Sequence, residues 1–238
     1  MCTVSFISSD SQYFITSNRD EHTSRPRALE PQEEIIGGVK VLFPKDPKAG
    51  GTWFALNEKG SVAVLLNGGF VNHRFAGKYA KSRGLVLLDI ISSESPLILL
   101  QEMELFNIEP FTLILFTSGL LEFRWDGHQK YFRPLDKGKN HIWSSATLYE
   151  DEVIEHRNRL FHEFTKASTR IRASEIMDFH SNNHNDFENG FIIDRKSGLR
   201  TFSVTQVILN QDEHIMSHLD LLHDKLFEAS LPPCQLTP

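Results

Sequence analysis

The stretch Met1-Cys2-Thr3-Val4-Ser5-Phe6-Ile7-Ser8, then Tyr13-Phe14-Ile15-Thr16-Ser17, then Asn18-Arg19-Asp20-Glu21, governs the reading of the whole chain. Thr3–Ser8 and Tyr13–Ser17 are rich in β-branched and aromatic residues. Ser9-Asp10-Ser11-Gln12 supplies turn residues between them, so the chain starts inside a β-hairpin. A signal peptide needs a basic start and a continuous apolar run, and residues 1–17 carry no Lys or Arg. Cytoplasmic residence is the resulting expectation.

Downstream, Val39–Phe43, Thr52–Asn57 and Ser61–Asn67 read as short strands, with Glu58-Lys59-Gly60 turning between the last two. The period then changes. Leu85, Leu88 and Ile91 fall at helical spacing within Lys78–Ser92, and Pro96 suits the first turn of a second helix reaching about Phe106, with Ser95 before it as a cap. Phe111–Thr117, Leu121–Trp125 and Lys130–Arg133 return to strands. Asp151–Lys166 is a charged helix with Val153, Leu160, Phe161 and Phe164 on its apolar side, and Ala173–His180 is a second. Phe191–Asp194 and Thr201–Asn210 read as strands. Ile215–Phe227 fits either a helical face or a strand. Helices in blocks between runs of strands predict an α+β fold rather than a parallel doubly wound sheet, in one domain spanning 1–238.

The 238 residues carry 25 basic and 31 acidic side chains, a net charge of −6, which gives no footprint for nucleic acid. The longest apolar runs, such as Leu85–Ile91, are too short for a membrane span. The two cysteines, Cys2 and Cys234, make neither a disulfide scaffold nor a thiolate metal site. His214 and His218 have helical metal-ligand spacing but no third ligand, so a surface position is expected for them. Neither metal nor cofactor is expected. The partner expected is a small-molecule substrate or ligand with an apolar part.

Cys2 carries the chemistry. Removal of Met1 leaves one residue bearing both a thiol and a free α-amine. The amine, with an ordinary pKa of about 7.7–8.0, suits a general base for the adjacent thiol. As a second strand returning toward the chain start, Asn18–Glu21 brings Asp20 or Arg19 beside that amine. A carboxylate there holds the ammonium form, and an Arg favours thiolate. The bland reading makes Cys2 a small core residue and Asn18–Glu21 a solvated strand end. Cys234, beyond Pro232-Pro233, reads as a tail residue.

Met1-Cys2-Thr3, Asn18-Arg19-Asp20-Glu21 with Ser24-Arg25-Pro26, Gly50-Gly51-Thr52-Trp53 and a strand ending Leu65-Leu66-Asn67, in that order, resemble the NRDE family, which includes the transport and Golgi organisation 2 group. More distantly, these segments resemble the choloylglycine hydrolases and penicillin V acylases, N-terminal nucleophile hydrolases of non-peptide amides. Leu56-Asn57-Glu58-Lys59-Gly60 and the strand to Asn67-Gly68-Gly69 resemble their segment bearing an oxyanion-hole asparagine. The resemblance implies a four-layer αββα sandwich. It implies Cys2 as nucleophile and base, Asp20 near the amine and Asn67 as oxyanion donor, with Arg200 as a late arginine pairing with Asp20 or the thiolate. Two positions depart. The hydrolases carry Arg three residues before the Asp, where this chain has Ser17, and Arg19 directly precedes Asp20. Ser145, within Trp143-Ser144-Ser145-Ala146, stands where they carry a second asparagine. The family also implies a second reading, a non-catalytic binder or trafficking protein for a lipid-like or haem-like ligand.

Overall fold

The chain is described by a computed structural model covering residues 3–73, 77–168, 170–210 and 213–232. Its described elements are β1 (Thr3–Ser9), β2 (Gln12–His22), β3 (Leu29–Ile36), β4 (Val39–Lys45), β5 (Phe54–Asn57), β6 (Val62–Asn67), α1 (Arg83–Ile91), α2 (Pro96–Glu102), β7 (Phe111–Phe116), β8 (Leu120–Trp125), β9 (Lys130–Leu135), β10 (His141–Ser144), α3 (Asp151–Lys166), α4 (Ala173–His180), β11 (Leu199–Leu209), β12 (His214–Asp220) and β13 (Lys225–Leu231). One sheet has the order β10-β1-β2-β11-β12-β13 and the other β3-β4-β5-β6-β7-β8-β9. Every pairing is antiparallel.

Strand alternation builds the layers. In β1, Val4 and Phe6 point between the sheets, where they meet Phe54, Val64 and Leu66. Ile7 points the other way, onto Phe161 of α3 and Ile176 and Phe179 of α4. In β6, Ala63 and Leu65 face Leu87 and Ile90 of α1, while Val64 faces the first sheet. The three apolar clusters separate four layers, helix–sheet–sheet–helix. Strands buried on both faces read as continuous apolar runs, as Phe111–Phe116 does.

Several expectations need correction. β2 runs on to His22, so Asn18–Glu21 lies within a strand whose pairing with β11 extends to that end. β3 and β10 are strands that the sequence reading passed over. Both are sheet edges; β3 is charged and mostly exposed, with an irregular register at Pro31. Helix α1 starts at Arg83 rather than Lys78, because Ser82 caps it through the Leu85 N–H. Helix α2 ends at Glu102. Phe191–Asp194 contributes only a bridge between Asp194 and Arg200. The tail resolves into β12 and β13, so His214 and His218 share a strand, not a helix. Among the described residues, no helix is long and apolar enough to cross a membrane.

One backbone crossing positions the site. The loop before β5 passes against the first turn of α1. A Cβ on Gly51 would lie 2.5 Å from the Gly84 carbonyl carbon, and one on Gly84 would lie 2.6 Å from the Thr52 carbonyl oxygen. Backbone meets backbone there, so neither residue can acquire a side chain without moving a main chain. Gly84→Ala is expected to destabilise the fold by about 1–3 kcal/mol. Urea denaturation measures it, and an unchanged midpoint contradicts the tight crossing.

Candidate active site

Alternation along β2 sends Asn18 and Asp20 toward the helices and Arg19 between the sheets. Asn18 donates its amide to the carbonyls of His180 (2.8 Å) and Phe191 (3.0 Å). That leaves its Oδ1 to accept from His180 Nδ1 at 2.5 Å, and His180 Nε2 then accepts the Ser5 hydroxyl proton at 2.7 Å. The imidazole is fully buried, and its two nitrogens are committed in the neutral form. Burial, helped by the charges of Arg157 and His184, pushes its pKa from 6.5 to about 3.

Asp20 is 2% exposed. Its Oδ1 accepts from the Thr201 hydroxyl at 2.6 Å and its Oδ2 from the Tyr149 hydroxyl at 2.9 Å. Thr201 faces Asp20 across the β2–β11 pairing. The guanidinium of Arg157 lies over the Tyr149 ring, 3.7 Å from its centroid. Arg157 also donates to the carbonyls of Asn189 and Gly190 and to the Thr3 hydroxyl. The first described residue, Thr3, is thus tied through Arg157 and Tyr149 to Asp20.

Arg19 lies on the opposite face, 1% exposed. Its guanidinium sits 4.8 Å from the Trp53 ring centroid, and its Nη2 lies 3.3 Å from Asp46 and 3.4 Å from Glu21. Arg25 clamps the same two carboxylates, at 2.7 Å to Asp46 and 3.0 Å to Glu21. Burial alone would raise the Asp46 pKa. The hydrogen bond and charge of Arg25, the charge of Arg19 and the Lys48 N–H hold it below the ordinary carboxylate range.

Arg19 and Asn67 line one cavity of about 370 Å³, with Trp53, Tyr79, Arg83 and Glu109 among its walls. Asn67 ends β6. The next residue, Gly68, takes a φ of +82°, where a Cβ would also lie 2.8 Å from Thr147. Ser145 meets Asn67 through the main chain. Its hydroxyl donates to the Asn67 carbonyl at 2.9 Å, so its proton is directed at the backbone, not at the cavity. Arg200 is out of phase by one residue. It faces Glu21, is exposed, and lies 3.8 Å from Asp194, while Thr201 takes the position opposite Asp20. The expected pairing of Arg200 with Asp20 is thereby corrected. Cys2 and Cys234 lie outside the described residues.

The sequence reading missed Thr201, Tyr149, Arg157 and Asp46. Arg157 had a signal: it stands four residues after Val153 and four before Phe161, on the apolar stripe of α3, where a cation calls for a buried partner. His218 is buried rather than a surface histidine. His218 meets the Thr205 hydroxyl at 2.8 Å, and burial pushes it to about 4. Among the described residues, no group of three side chains could hold a metal.

The family model for Transport and Golgi organisation 2 matches residues 1–221. The chain belongs to this family. No curated protein matches this member of the Transport and Golgi organisation 2 family. Among solved structures, it resembles a Caenorhabditis elegans ortholog of N-acylethanolamine-hydrolyzing acid amidase, with a TM-score of 0.59 and 10% identity over 86% of this chain and 92% of that one. It also resembles a cysteine-to-alanine mutant of the conjugated bile acid hydrolase from Clostridium perfringens, with a TM-score of 0.51 and 10% identity over 96% of each chain. An arginine-to-leucine variant of that hydrolase gives the same score and identity over 96% of this chain and 92% of that one. These likenesses establish the N-terminal nucleophile hydrolase fold for this family member.

Because the fold keeps His180 neutral, the unfolded chain binds its proton near pH 6.5 and the folded chain only near 3. This contribution is complete above pH 6.5 and is lost as pH falls through that window; His218 acts in the same direction. The urea midpoint is expected to fall between pH 6.5 and about 4, and to fall less steeply in His180→Gln. An equal slope in the variant removes His180 as a cause.

Proposed function

We propose that this protein hydrolyses a linear, non-peptide amide with Cys2 as nucleophile. The supporting observation is the anchoring of the chain start. Thr3 is the residue that follows Cys2 in the chain. Thr3 is buried and held by Arg157, in the network that also fixes the Asp20 carboxylate. Asn67 lines the neighbouring cavity. The hydrolases named in the structural likenesses act on N-acylethanolamines and conjugated bile acids, which supports amide chemistry on this scaffold.

The α-amine, freed by loss of Met1, takes the thiol proton, and sulfur attacks the amide carbon. The carbonyl π pair moves onto oxygen, where the Asn67 side-chain amide donates a hydrogen bond. The oxyanion collapses, the C–N bond breaks, and the ammonium returns a proton to the departing amine. Water then adds to the thioester by the same steps, releasing the acid and restoring the thiol. Asp20 keeps the ammonium form in place, and the guanidinium of Arg19 favours thiolate.

Intact mass and terminal sequencing, with and without iodoacetamide, test the start of this sequence. The expected result is loss of Met1 and one adduct on Cys2, absent from Cys2→Ala. Retained Met1 turns the base into an ordinary amide and overturns the mechanism. On a panel of N-acyl amides, Asn67→Ala is expected to lower kcat by about 10²–10³-fold. A protein that binds such amides without turnover, equally well as Cys2→Ala, is a carrier instead.

A further inference from the structure

The charged cavity beside Asn67 has an unfinished hydrogen-bond account. Arg19 Nη1 is buried and has no partner among the described residues, although the Arg19 side chain is only 1% exposed and lines the cavity. A buried guanidinium N–H left unpaired is costly, so the empty valence points to an acceptor that enters the cavity. Its neighbours narrow the identity of that acceptor. The cavity walls carry four cations, Arg19, Arg25, Lys81 and Arg83, against the three carboxylates Glu21, Asp46 and Glu109. Each carboxylate is engaged by arginine: Glu21 and Asp46 by Arg19 and Arg25, and Glu109 by Arg83 at 3.1 Å. A cationic ligand therefore meets only carboxylates already in ion pairs.

A helix end adds to the same field. Ser82, Arg83 and Gly84, at the start of α1, line the cavity. The first turn of α1 contains no acidic residue, and the Ser82 cap is occupied by the Leu85 N–H. The positive end of the helix dipole and its first N–H groups thus lie on the side where Arg83 and Lys81 stand. Lys81 is itself paired with Asp89, so the donors that face an incoming group are Arg19 Nη1, Arg83 and the first turn of α1.

We infer that this cavity binds a compact anionic group, a carboxylate or phosphate, through Arg19 Nη1, Arg83 and the first turn of α1, so that the substrates are amides carrying an anion close to the scissile bond. This inference deepens the hydrolase reading, on which it rests for the position of the reacting carbonyl. It separates from that reading experimentally, because anion binding needs no thiol.

Isothermal titration of Cys2→Ala with N-butyrylglycine and with its neutral counterpart N-butyrylglycinamide tests it. The glycine probe is expected to bind at least about tenfold more tightly. Arg83→Gln is expected to erase that preference. Glu109→Gln, which frees Arg83 from its carboxylate, is expected to strengthen glycine-probe binding. This opposite sign distinguishes the proposal from a general loss of folding. Competition by inorganic phosphate assigns the site to both anions, and its absence assigns it to carboxylates. Equal binding of the two probes, no binding of either at millimolar concentration, or a preference that survives Arg83→Gln in a folded protein overturns the inference. If the preference holds while wild-type Cys2 resists iodoacetamide, the anion site stands and the nucleophile reading falls.

Discussion

The buried guanidinium of Arg157 is the constraint on which the arrangement rests. Taking that charge out of water is expensive unless its N–H groups are directed at acceptors. Here they meet the carbonyls of Asn189 and Gly190 and the hydroxyl of Thr3, and the flat face of the cation covers Tyr149. Arginine's planar fork suits this task as lysine's point charge does not. The guanidinium holds together α3, the loop before the 191–194 segment and the first residue of β1. It thereby fixes the direction from which Tyr149 approaches Asp20.

Around that joint, β2 separates two environments with three consecutive residues. Asn18 and Asp20 complete polar networks under the helices, and Arg19 enters the space between the sheets. The His180 network is closed by its own partners, Asn18 and Ser5, and the Asp20 carboxylate is held in position by Thr201 and Tyr149. The environment around Arg19 is crowded with charge, yet the described residues do not close it. Closed polar networks specify a unique structure, whereas an open donor beside a cavity is a place for chemistry brought from outside.

Much of this was legible in the chain itself. The opening hairpin, the two helix blocks and the Asn18–Asp20 run follow from period, turn residues and charge placement. Asn67 and Arg19 do share a cavity. Edge strand β3 escaped because it carries charge and a proline instead of alternation, and β10 because it is only four residues long. The tail escaped because Ile215, Leu219, Leu222 and Leu226 fall at a helical period, although Leu222 lies in the turn between β12 and β13. Arg200 was misplaced because a single-residue phase in β11 decides whether it or Thr201 meets Asp20, and that phase is set by pairing with β2. Tyr149 and Asp46 had no local signal. Their partners lie 129 residues and 27 or fewer residues away along the chain, brought close only by the sandwich.

The crossing of the loop before β5 over the start of α1 bears on how the cavity accommodates guests. With Gly51 and Gly84 in direct main-chain contact, nothing compressible lies between the two walls. Any displacement of one against the other there has to move main chain. Adaptation to guests of different size falls to the side chains that line the chamber, so selectivity by shape resides in rotamers rather than in hinges.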